Sequence, residues 1–288
     1  MRIFSILGYL FCFGISDCLW VYPNKKYPVI ISMTIRSLIT SLLFILLFLV
    51  SDGLNINWNG KGYDIFTAMA ISCVSYGGLY FYVNSLKYEQ ASVLAPVTTI
   101  LTSLLGLVFT ILFYHETLTL KIACCLLAAF LGIGLSFSHH YKTGNKITLS
   151  KGTILSVGAA IMWAISYTFF KTPIDKLGVV TFSLILEFTI LFINILFLLS
   201  GNYRMGLLAL KFDTSLLPLL FIGCLIFCGT LLSSYSYKLF PLLSLNVIGK
   251  VGVIIPVIYC VLFLKEKLSL IQIGGIIILI ISAIVISI

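Results

Sequence analysis

Ten apolar stretches, each long enough to cross a membrane, take up most of this 288-residue chain. A helix spanning about 30 Å of hydrocarbon needs about 20 apolar residues. Cutting at charges, prolines and Gly/Asn clusters predicts ten spans: Ile3–Tyr22, Val29–Val50, Tyr63–Leu86, Ala91–Phe113, Leu118–Ser138, Gly152–Phe170, Val179–Ser200, Leu216–Tyr237, Leu242–Leu264 and Leu268–Ser287. The longest links, Ser51–Gly62, His139–Lys151 and Gly201–Ser215, leave no room for a soluble domain. Links as short as Lys87–Gln90 and Lys265–Lys267 force antiparallel helix hairpins. Barrel strands would alternate apolar and polar positions. These runs are apolar on all sides.

The scarcity of charge agrees. The 18 Lys/Arg and 9 Asp/Glu make 27 charged residues, 9% of the chain, against 60% apolar. A soluble domain carries about 25% charged residues, and disorder requires low hydrophobicity. Both classes are excluded, and the expected fold is an all-α polytopic membrane protein. The net charge of +9 marks no nucleic-acid binder. Such proteins cluster Lys/Arg on one face. Here the largest group is His139-His140-Tyr141-Lys142 with Lys146 and Lys151, in a link where basic residues meet lipid head groups. The eight cysteines lie inside apolar runs and the three histidines at their ends. No metal set, cofactor motif, phosphate-cradling loop or catalytic triad emerges, so no enzyme is expected. No cleavable leader is expected either, because Arg2 is the only charge ahead of the first run.

The chain also repeats itself. A shift of 150 residues lays Leu112–Leu120 on Leu262–Leu270 with five of nine positions identical. It also pairs Gly8 with Gly158, Ile15-Ser16 with Ile165-Ser166, and Pro23 with Pro173. Two units follow, residues 1–140 and 150–288, each with five spans. An odd number of spans makes the second unit enter the membrane from the opposite side. Inverted five-helix repeats are an architecture in which secondary transporters hold substrate near the midplane.

These residues resemble a specific family. Tyr88-Glu89-Gln90-Ala91-Ser92-Val93-Leu94-Ala95-Pro96, then His115-Glu116-Thr117-Leu118-Thr119, and later Lys265-Glu266-Lys267-Leu268-Ser269, are similar to the pattern of EamA-type drug/metabolite transporters. Trp20 and Trp163 fall in each half's first helix, where that family often has an aromatic. The resemblance covers nearly the whole chain. It implies ten helices, a small-molecule substrate and cytoplasmic termini. Asn246 stands where the second repeat would match Pro96, and Lys250 where an uncharged residue is common.

Four charges fall well inside spans: Asp17, Arg36, Glu187 and Lys250. A charge at the bilayer centre costs on the order of 3 kcal/mol, so such residues face the bundle interior, pair, or line a water path. Lys250 shares a helix face with Asn246, near Gly249, Gly252 and Pro256. Its ammonium either binds an anionic or carboxylate-bearing substrate or pairs with Glu187 or Asp17. Glu187 lies on a polar stripe with Ser183 and Asn194. It either carries a coupling proton or forms an ion pair with Lys250 or Arg36. Arg36, between Ser32 and Thr40, is expected to anchor structure. Asp17 sits between Phe13 and Trp20, where it can hold a cation, pair with a basic residue or accept from helix hydroxyls. Tyr76 and Tyr80, and Thr99, Thr102 and Ser103, fall at helical spacing and are candidates to line a wet cavity. Glu116 and Glu266 read as caps of the helices that follow them.

The expected protein is a secondary transporter of a small polar metabolite, an amino acid or related compound, coupled to protons or working by exchange. The expected substrate site combines Lys250, Asn246, Glu187, Arg36, Asp17, Trp20, Tyr76 and Tyr80. A transporter or flippase of phosphorylated or lipid-linked substrates is one alternative; a membrane-embedded enzyme is another, and it would need clustered His, Asp or Cys at a membrane face, which the sequence does not offer. The setting is the plasma-membrane lipid bilayer, with the chain as a monomer or homodimer. Loop Lys/Arg number six on the side of the termini and ten on the other. That count would place the termini outside, against the cytoplasmic placement the resemblance implies.

Overall fold

The computed structural model describes residues 2–51, 60–115, 150–200, 216–242, 254–265 and 269–287, with short pieces between 120 and 135 and residue 245. Helices follow one another as the apolar runs predict: α1 (Arg2–Leu19), α2 (Val21–Lys26), α3 (Val29–Val50), α4 (Gly62–Ser85) and α5 (Ala91–Tyr114) in the first half. The second half contributes α6 (Lys151–Phe169), α7 (Lys171–Leu177), α8 (Val179–Leu199), α9 (Leu217–Leu239), α10 (Ile254–Leu262) and α11 (Leu270–Ser287). No strand occurs among the described residues. Seven of their helical segments are long and apolar enough to cross a membrane. These are the expected spans one to four and six to eight. Helix α10 covers part of the ninth and α11 most of the tenth. Of the fifth, Leu118–Ser138, only short helical pieces between 120 and 135 are described.

Two span ends differ from the expected ones. The first span does not stop at Tyr22 and the sixth does not stop at Phe170. They run on as Phe4–Lys26 and Lys151–Leu177. Each is interrupted once, at Trp20 and at Phe170. The cause sits three residues later, at Pro23 and Pro173. A proline has no N–H for the carbonyl four residues back, and its ring crowds that carbonyl. Each short helix is then tied to the third span of its own half. Asn24 Nδ2 donates to the Val83 carbonyl at 2.8 Å. Lys171 Nζ donates to the Tyr237 carbonyl at 3.0 Å.

The halves interleave rather than sit side by side. Among the described helices the largest contacts all cross between them: α4 with α6, α1 with α9, α5 with α6, and α3 with α8. In the first two interfaces, glycines receive large side chains in the same pattern. A Cβ on Gly78 would stand 2.5 Å from Trp163, and one on Gly158 3.0 Å from Phe81. A Cβ on Gly229 would stand 2.9 Å from Phe13, and one on Gly8 2.6 Å from Leu232. Gly8 pairs with Gly158 and Phe13 with Trp163 under the 150-residue shift, so one mode of close helix approach is used twice. The backbone repeats as well. The two non-glycine residues with positive φ among those described are His115 and Lys265, both at φ 54° and 150 positions apart. A left-handed residue of this kind ends a helix, as His115 does for α5. The two Glu residues that follow, Glu116 and Glu266, lie outside the described residues.

Candidate functional site

Interleaving leaves a cavity of about 200 Å³ between the halves, walled by α1, α3, α4, α5, α6, α8 and α9 and by Pro256 of α10. Its volume suits a small molecule. Its chemistry is mixed, with serine and threonine hydroxyls among aromatic rings, as ligand sites in proteins usually are.

Helix α1 and the interruption that follows it contribute residues at spacings of three and four: Tyr9, Phe13 and Asp17, then Trp20. This spacing puts them along one face. Helix α6 answers with Trp163 and Tyr167, and Phe170 follows at the interruption. Trp163 and Tyr167 stack with ring centres 6.1 Å apart, and Tyr167 meets Phe170 at 5.4 Å. Phe170 in turn packs edge-on to Tyr237 of α9 at 6.1 Å. The rings have little freedom. Gly78 leaves only enough space for the Trp163 indole, whose Nε1 donates to the Ser75 carbonyl at 3.2 Å.

Two opposite charges meet in the wall. Arg36 Nη1 on α3 donates to Glu187 Oε2 on α8, joining the second span of each half. The residues are 3% and 1% exposed. A pair this deep is held by partnership, since removing one member strands the other charge. One arm of the guanidinium remains. Arg36 Nε has no hydrogen-bond partner among the described residues. Nearby, Asn194 Nδ2 donates to Ser37 Oγ at 3.3 Å, and Thr40 Oγ1 donates to the Gly223 carbonyl at 3.3 Å.

Asp17 is different. It lines the cavity, half-buried, and makes no ion pair or hydrogen bond among the described residues. Its neighbours Ser16 and Trp20 line the same space. Ser16 Oγ already donates to the Phe13 carbonyl at 2.9 Å.

The structure thus brings together Asp17, Trp20, Arg36 and Glu187 of the expected site, along with Thr99, Thr102 and Ser103. Thr102 Oγ1 has no hydrogen-bond partner among the described residues. Tyr76 and Tyr80 stand apart from the cavity wall. They stack on each other at 6.4 Å, and Tyr76 stacks on Phe197 at 6.2 Å. Lys250 and Asn246 lie outside the described residues. Sequence reasoning passed over Tyr9, Tyr167, Tyr237 and the serines of α9: Ser233, Ser234 and Ser236. A signal for Tyr167 was available, because it stands 150 residues after Asp17. The serines carried none. Ser236 Oγ donates to the Leu232 carbonyl of its own helix at 2.9 Å and Ser234 Oγ shares a bond with Ser183 Oγ at 3.0 Å, and a helical serine of either kind looks the same in the sequence. No group of His, Cys, Asp or Glu among the described residues is arranged to hold a metal.

The EamA-like transporter family model matches the chain twice, over residues 1–138 and 150–288. No curated protein matches it. One solved crystal structure of a protein superposes with a TM-score of 0.67 at 13% identity, covering 99% of this chain and 96% of its own. At that identity the likeness shows the fold alone.

Proposed function

The chain belongs to the EamA-like transporter family, a multi-pass membrane protein by its apolar helices, and we propose that it is a secondary transporter of a small polar metabolite. The substrate is an amino acid or related compound, bound in the cavity between two inverted five-helix repeats and released by alternating access. Ten spans, a plasma-membrane setting and cytoplasmic termini complete the proposal. The observation that carries it is the cavity itself, with intramembrane charge concentrated in its wall. Asp17, Arg36 and Glu187 all line it, and apolar solvent tolerates such groups only where they pair or work. The proposed division of labour follows. Arg36 and Glu187 fix the second spans against each other in the cavity wall. Trp20 supplies an aromatic wall. Lys250 and Asn246 bind the substrate's carboxylate. Coupling is to protons or to exchange of a second substrate.

The test is uptake by vesicles reconstituted with the purified chain. Labelled amino acids and phosphorylated metabolites are offered with and without a pH gradient. Uptake of an amino-acid-like compound, abolished by Lys250→Ala while the protein stays in the membrane, is the expected result. No uptake of any polar metabolite, or full uptake by Lys250→Ala, would overturn the proposal or its site.

A further inference from the structure

From the wall of the same cavity, and resting on its being the substrate site, we infer that the substrate presents a positively charged nitrogen and that Asp17 is its counter-ion. The charges on the described wall decide this. Arg36 and Glu187 neutralise each other. That leaves Asp17 as the carboxylate without an ion-pair partner among the described residues, and among the described lining residues Arg36 is the one cation. An unpaired carboxylate inside a membrane protein is costly, and a bound cation offsets that cost at the moment of binding.

The surroundings fit the same ligand. Trp20, at the interruption after α1, is three residues past Asp17, and Phe13 is one turn before it, both on the cavity wall. Trp163 and Tyr167 stack across from them on α6, nearly parallel at 10°. Aromatic faces attract ammonium groups, tryptophan most strongly, and more so where water is excluded. An anion would meet the negative faces of those rings beside a carboxylate. A substrate bearing both charges places its ammonium at Asp17 and its carboxylate elsewhere in the cavity. The group recognised here is therefore a primary, secondary or quaternary ammonium of a small molecule.

Tryptophan fluorescence tests this directly, because Trp20 and Trp163 line the cavity. The third tryptophan, Trp58, is replaced by phenylalanine to isolate their signal. The full-length protein in detergent is titrated with phenyltrimethylammonium, with its neutral isostere tert-butylbenzene, and with benzoate. Saturable change with the cation, at a Kd at least ten-fold below the other two, is expected. Asp17→Asn should raise that Kd ten-fold or more, and Asp17→Glu should raise it less. Equal binding of all three probes, or an unchanged Kd in Asp17→Asn, would overturn the inference. If Asp17→Asn fails to fold, the selectivity of the unsubstituted cavity decides alone. Selective cation binding without transport of any metabolite sinks the transporter proposal and leaves this site standing. Transport of metabolites by a cavity indifferent to the cation does the reverse.

Discussion

The first helix of each half occupies the same place in its own half and carries different chemistry. Under the 150-residue shift Phe13 becomes Trp163 and Trp20 becomes Phe170, so both helices turn aromatic rings to one cavity. Both seat a ring against a glycine of the other half, Phe13 at Gly229 and Trp163 at Gly78. Both are interrupted three residues before a proline. Yet Asp17 becomes Tyr167 and Cys18 becomes Thr168. The second spans tell the same story, since Arg36 becomes Leu186, and Glu187 answers Ser37. Positions that the two halves share set how helices approach. Positions where they differ hold the charge. The shared frame is built twice, and divergence within it supplies the charges of the cavity wall.

That contrast can be attacked at its charged end first. Cys18 Sγ and Cys260 Sγ are 3.1 Å apart and fully buried, linking α1 to α10 across the halves. The thiol at position 18 has no counterpart at Thr168, so oxidation ties the halves together at this one place and not at its repeat equivalent. Copper-phenanthroline oxidation should form this disulfide and cut vesicle uptake to below about a tenth, if α1 and α10 move against each other as alternating access requires. Cys18→Ser should be immune, and reduction should restore uptake.

The buried ion pair comes next. Arg36→Leu should cost about 3–5 kcal/mol of stability by stranding Glu187. Adding Glu187→Ser gives each half the other's residue and removes both charges. The double variant should recover most of that loss in thermal melts in detergent. If it melts no higher than Arg36→Leu, the pair is not what holds the second spans together.

The shared frame should respond more mildly and by geometry. Gly78→Ala places a methyl 2.5 Å from Trp163, and Gly229→Ala one 2.9 Å from Phe13. Overpacking of this kind costs about 1–3 kcal/mol. Gly78→Ala should be the worse of the two, because the indole is also held by its bond to Ser75. The smallest effect belongs to Tyr167→Phe, which keeps the ring and removes the hydroxyl. It should leave phenyltrimethylammonium binding within about two-fold, since the ring face does the attracting.

Much of this frame was legible in the sequence, because lipid imposes a simple rule of length and polarity. The expected span Val29–Val50 coincides with α3, and Ala91–Phe113 falls one residue short of α5. Prolines misled at Tyr22 and Phe170, since a proline interrupts a buried helix without ending it when neighbouring helices satisfy the freed groups. Three of the four intramembrane charges, Asp17, Arg36 and Glu187, line the cavity, and the fourth, Lys250, lies outside the described residues. Helical spacing alone did not suffice. Tyr76 and Tyr80 have it and stack beside Phe197, away from the cavity wall. Which side of an all-apolar helix faces a cavity and which faces lipid is settled by packing partners. Those partners come from the other half, at a distance along the chain that local patterns do not see.

The central claim is that this cavity opens to each side of the membrane in turn. Ser233 lines it, and in a chain with all eight native cysteines replaced a Ser233→Cys variant places one thiol there. A membrane-impermeant maleimide is added from one side of sealed vesicles and then, in a parallel sample, from the other. Labelling from both sides, slowed in both cases by a transported substrate, is the predicted result. Labelling from one side only, with or without substrate, would contradict alternating access through this cavity.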